Sequence, residues 1–144
     1  MYKDLQVGDI IGVKRFLYSH YGVYVGDGNV IHYSGEKGDF VGVKSIRYGT
    51  MNDFLGGKKE FFELIFRKVH LKPRKEKRYE TQSEEYFLYS PEETVERAKS
   101  RLGETKYNLA LNNCEHFAIW CKTGVSESYQ VKAVLKNFVE FRKK

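Results

Sequence analysis

A chain of 144 residues with 41% hydrophobic and 31% charged residues is long enough to bury one substantial core, and its composition excludes a disordered or fibrous protein. The net charge is +6, and aromatic residues make up 15%, with 11 Tyr and 10 Phe. No run approaches the roughly 18 apolar residues of a membrane-spanning helix, and Met1 to Gln6 lacks the apolar stretch of a signal peptide.

The first half reads as strands and turns. Asp9 to Phe16 opens with Ile10, Ile11 and Val13. His20 to Val25 alternates, with Tyr21, Val23 and Val25 on one face and His20, Gly22 and Tyr24 on the other. Gly26-Asp27-Gly28-Asn29 is a hairpin turn that returns the chain as Val30 to Tyr33. Val41 to Arg47 is the next alternating segment, Met51 to Leu55 a short helical turn closed by Gly56-Gly57, and Phe61 to Val69 a Phe-rich strand. A charged loop within the domain follows, at about 72–83.

The second half is helical. Ser90-Pro91-Glu92-Glu93 is a helix start with an N-cap, a proline at the first position and a capping box. Val95, Ala98 and Leu102 form the expected buried stripe, with Gly103 closing the helix. A second helix runs from about Asn113 to Lys122 and stops at Gly124. A third is expected over about 128–141, burying Val131, Leu135, Phe138 and Val139. Strands first and helices after predict one α+β domain over 1–144, an antiparallel sheet packed on helices.

The two cysteines, Cys114 and Cys121, are seven residues apart. On one helix their Cα atoms stand about 10.5 Å apart, beyond the roughly 7 Å that a disulfide spans. Free thiols and the absence of a leader point to a reducing, cytoplasmic setting. Asn113 is a natural N-cap, which puts Cys114 in the first turn of its helix, where N–H groups and the helix dipole favour a thiolate. Cys121 is mid-helix beside Trp120 and reads as core.

A thiol nucleophile needs a base within reach. His116 stands roughly 200° around the helix from Cys114 and reads as a structural histidine bonding backbone. His70 belongs to the end of a strand beside the basic loop. His20 and His32 flank the 26–29 turn on paired strands, where cross-strand neighbours meet, and adjacent imidazoles suit a base and the group that orients it. Cysteine and histidine spacings do not match a zinc site, and no metal is expected.

The string His20-Tyr-Gly-Val-Tyr-Val-Gly-Asp-Gly-Asn-Val-Ile-His32-Tyr, followed far downstream by Asn113-Cys114-Glu115-His116-Phe117, resembles the lecithin–retinol acyltransferase family and its phospholipase–acyltransferase relatives. The resemblance covers the chain from Val7-Gly8-Asp9 to about Val134. It implies a permuted papain-like core of the NlpC type. It also implies Cys114 as nucleophile, His20 as general base and His32 as the orienting third residue. Tyr107 matches a tyrosine near the family's site, with a positioning or oxyanion role, and Asn113 belongs to the frame around the nucleophile. Glu115 and His116 are not carried over as catalytic. The implied activity is acyl transfer or phospholipase A-type hydrolysis of acyl esters, without a cofactor.

Two rival readings share these motifs: an NlpC-like amidase, which the missing leader disfavours, and an idle interaction module such as a viral host-factor binder. Many family members end in a hydrophobic anchor, whereas this chain ends Arg142-Lys143-Lys144; either a tail has been removed or this is a microbial or viral relative acting without one. The Lys68 to Arg78 cluster and the basic C-terminus predict peripheral contact with anionic membrane rather than nucleic acid, for which no module signature is present.

Overall fold

A computed structural model describes residues 2, 4–35, 38, 42–67, 88–109 and 112–144. The strands are β1 (Ile10–Lys14), β2 (Ser19–Gly26), β3 (Asn29–Ser34), β4 (Ser45–Thr50), β5 (Phe62–Phe66) and β6 (Val139–Lys143). The helices are α1 (Met51–Leu55), α2 (Pro91–Ser100), α3 (Cys114–Thr123) and α4 (Ser128–Asn137). The strands form one six-stranded antiparallel sheet in the order β4-β3-β2-β1-β5-β6, so the fold is α+β as expected.

The sheet is covered on both sides, because period-2 alternation sends successive side chains to opposite faces and both sets are apolar. On one face Ile10, Tyr21, Val23, Ile31 and Tyr33 pack against Ala98 of α2, Phe117 and Cys121 of α3, and Val131 of α4. On the other, Ile11, Val13, Tyr24 and Val30 pack against Met51 and Phe54 of α1. The β2–β3 turn is Asp27-Gly28, with φ of 52° and 74°, the paired positive values that a two-residue hairpin with right-handed strand twist demands.

Three boundaries differ from the sequence expectation. The last helix stops at Asn137, and Val139–Lys143 pairs with β5 as an edge strand. The β5 edge offers a row of unpaired backbone groups, and satisfying them outweighs about four more residues of helix. The strand expected at 41–47 lies instead at Ser45–Thr50, held in register by Asn29 opposite Thr50, and Val43 is exposed. Helix α2 ends at Ser100 with Arg101 as its C-cap, so Leu102 is not buried and Gly103 serves the following turn, its N–H donating to Ile46 O. The basic loop at 72–83 and the Lys68–Arg78 cluster, His70 included, lie outside the described residues. Among the described residues no helix is long and apolar enough to cross a membrane.

Candidate active site

Helix α3 starts where the sequence places it. Asn113 is extended, its side-chain oxygen accepts the His116 backbone N–H at 3.0 Å, and Cys114 is the first helical residue. Orphan N–H groups of the first turn and the helix dipole therefore converge at the thiol. His116 points away from it. Its Nδ1 lies 2.7 Å from Asn113 Oδ1 and its Nε2 2.8 Å from Ser128 Oγ. A neutral ring, with one nitrogen donating and the other accepting, suits these contacts. Burial, with Lys132 nearby, holds its pKa below the ordinary value, consistent with that neutral form. His116 is thus structural, as expected: the Asn113 backbone N–H reaches its Nδ1 at 3.4 Å, completing a capping box, and the ring also meets side chains of the cap and of α4.

The loop before α3 is latched to the sheet by a half-buried polar network. Arg101 donates to Glu104 Oε2 at 2.7 Å and to Asn112 Oδ1 at 3.1 Å, while Tyr33 Oη and Asn112 Nδ2 both donate to Glu104 Oε2 at 3.1 Å. Burial raises the Glu104 pKa, but the donors around it, Arg101 first, bring the net shift below the ordinary carboxylate value. A charged acceptor with several donors fixes the loop, and with it the position of the nucleophile's helix.

Cys114 is 8% exposed, and its thiol donates to Ser19 O at 3.9 Å, at the first residue of β2 and next to His20. It opens onto a cavity of about 500 Å³ lined by Leu17, Tyr18, Tyr21, Tyr107 and Leu109. Tyr21 and Glu115 border the same space, and both have pKa values raised chiefly by burial; Glu115 and Cys114 add to the shift on Tyr21. Tyr107 stands edge-on to Tyr33, with centroids 5.1 Å apart, and carries the Lys44 ammonium 3.8 Å over its face. Cys121 is sealed in the core, where burial pushes its thiol up to about 12.

His20 and His32 do meet. His20 Nε2 lies 2.8 Å from His32 Nδ1, and both rings are buried. They are diagonal rather than directly opposed neighbours, because His32 pairs with Gly22. Both occupy the α1 side of the sheet, roofed by Phe54 at centroid distances of 5.2 and 5.9 Å. Two glycines make that room. A Cβ on Gly22 would stand 3.1 Å from Phe54 Cε1, and one on Gly49 would stand 2.7 Å from His32 Nε2. Beyond Gly49, His32 borders a second cavity of about 470 Å³ shared with Asn52 and Asp53. Sequence reasoning missed Gly22, Gly49, Phe54 and the Glu104 latch. The only hint was glycine inside strand patterns, which marks close approach.

Fold and site define an α+β protein with a thiol, outside any disulfide, at a helix N-terminus, abutting the strand that begins a buried imidazole pair. The family model for lecithin retinol acyltransferase matches residues 3–127, and the chain belongs to that family. Lecithin retinol acyltransferase of Bos taurus is 30% identical over 152 residues, covering 90% of this chain and 60% of the relative. The Rattus norvegicus protein of that name is 31% identical, covering 87% of this chain and 57% of the relative. Phospholipase A and acyltransferase 2 of Homo sapiens is 31% identical, with 88% and 75% coverage. The chain therefore spans less than two thirds of the length of these two lecithin retinol acyltransferases.

Proposed function

We propose that this protein is a thiol-dependent acyltransferase and phospholipase A-type hydrolase acting on phospholipid or related acyl esters. The observation that carries the reading is the position of Cys114. It is the first residue of a capped helix, faces a largely apolar cavity of about 500 Å³, and sits beside the strand that bears a locked His20–His32 pair. The names of the relatives, acyltransferases and phospholipases A, point the same way.

In this mechanism His20 Nε2–H donates to His32 Nδ1, so His20 Nδ1 is the basic nitrogen. It takes the Cys114 proton, and the thiolate attacks the ester carbonyl carbon. First-turn N–H groups of α3 stabilise the oxyanion, with Tyr107 positioning the acyl group. Collapse breaks the ester bond, and the leaving alkoxide takes the proton back from His20. Water or an amine or alcohol then attacks the thioester, His20 accepting its proton, to release a fatty acid or a new acyl product and regenerate the thiol. His32 holds the base in orientation and stabilises its cation. Residues do all of this without a metal or cofactor.

The test is kinetic. His20→Ala is expected to lower hydrolysis of a phospholipid in mixed micelles by at least about a thousandfold, and His32→Gln by only about tenfold to a hundredfold. A greater loss from His32→Gln would exchange the two roles, and wild-type rates in Cys114→Ser would reject the mechanism.

A further inference from the structure

The hairpin joining β1 and β2 has an unusual tip. Arg15 N–H donates to Tyr18 O at 2.8 Å, closing a four-residue turn whose two corner residues are Phe16 and Leu17. Corners of tight turns normally carry Gly, Asn, Asp, Ser or Pro, whose backbone freedom, fixed φ or local hydrogen bonds suit the turn. Here Phe16 is 91% and Leu17 84% exposed. The tip is also held stiffly: the Arg15 guanidinium donates to Leu55 O at 2.8 Å and Phe54 O at 2.6 Å, tying the turn to the end of α1. Across the thiol's cavity stands Leu109, 72% exposed, its carbonyl accepting from Asn113 Nδ2 at 2.9 Å.

We propose that Phe16, Leu17 and Leu109 form a wedge that enters the apolar layer of a phospholipid surface and sets the mouth of the Cys114 cavity against it. The proposal deepens the acyl-ester reading above by naming the surface from which substrate enters. Leu17 and Leu109 belong at once to the wedge and to the lining of that cavity, so a lipid leaving the bilayer at the wedge passes directly to the thiol. Lys14 and Lys106, both exposed, lie two and three residues along the chain from Phe16 and Leu109 and put cations near the apolar residues, as lipid phosphates favour. The area argues against a second protein copy. Three such side chains bury on the order of 500 Å², about half of what a specific interface needs. A fluid bilayer makes no demand for complementary shape, and convex tips suit it better than a partner's face.

The experiment uses Cys114→Ser protein, in which docking needs no turnover, with phosphatidylcholine vesicles at high salt to remove the contribution of basic residues. Phe16→Trp in this background is expected to show a blue-shifted emission on adding vesicles, quenched by lipids brominated near the headgroup, beyond any change from Trp120 alone. Phe16→Ser is expected to lower vesicle partition about tenfold, the effect of withdrawing one buried aromatic side chain. With Cys114 restored, Phe16→Ser should hydrolyse a dispersed short-chain ester at the unsubstituted rate and vesicle lipid about tenfold more slowly. Unshifted emission at saturating lipid, or unchanged partition of Phe16→Ser, would overturn the proposal. So would a concentration-dependent dimer that Phe16→Ser abolishes without any vesicle binding. Absence of turnover on both substrates counts against the chemistry alone, and the partition result then still decides the docking.

Discussion

Cys114 and Cys121 share one face of one helix, yet their surroundings oppose each other. Cys121 has no exposed surface and a thiol pushed up to about 12 by burial, so almost none of it is thiolate at neutral pH. Cys114 sits at the helix start on an open cavity. Iodoacetamide at neutral pH should therefore label Cys114 more than about a hundredfold faster than Cys121, measured by peptide mass spectrometry. Comparable rates would remove Cys114 from the nucleophile's role. A second residue-scale expectation concerns Gly49. In Gly49→Ala the new Cβ would collide with His32 Nε2, a contact at 2.7 Å, and the ring must move. Overpacking of this kind costs about 1–3 kcal/mol. The folded variant should lose at least about tenfold in hydrolysis rate, since His20 leans on the displaced ring. Unchanged activity in a folded Gly49→Ala would show that the imidazole pair does not orient catalysis.

The elements differ in how plainly the sequence announces them. Ser90-Pro91-Glu92-Glu93 and Asn113 are caps with local mechanisms, and both open helices where expected, with side chains bonded to the third residue of each. The meeting of His20 and His32 was legible too, because a two-residue turn at Asp27-Gly28 fixes the pairing of the strands around it. Their enclosure was not, since Phe54 comes from another element and Gly22 and Gly49 speak only through what they leave empty. The end of α4 shows why local pattern fails. Val131, Leu135 and Phe138 fit a helical period, but Val139 and Phe141 alternate beside a strand edge seven decades of sequence positions cannot foretell, and tertiary pairing decides. The cap itself is testable. Asn113→Ala removes the acceptor for His116 N–H and the donor to Leu109 O, at a cost of about 1 kcal/mol for the cap. The melting temperature should fall by about 3 °C, and Asn113→Asp should restore at least half of the loss. A melt unchanged in Asn113→Ala would mean that the cap does not hold α3.

At the scale of the whole molecule, the sheet is the device that brings distant parts of the sequence together. Strand β2 carries His20 and β3 carries His32 on the α1 face, while α3 brings Cys114 over the start of β2 and the Glu104 network latches the approach to it. The far edge is finished by β6, with Phe141 edge-on to Phe62 at 5.4 Å and Lys144 paired with Glu63 at 3.1 Å. In the function proposed, this assembly forms an acyl thioester on Cys114. Intact-protein mass spectrometry after brief incubation with a phospholipid of one defined acyl chain measures it directly. The wild-type chain should gain the mass of that acyl group, removed by hydroxylamine at neutral pH and absent from Cys114→Ser. Turnover without any adduct in wild type, or an equal adduct in Cys114→Ser, would contradict it.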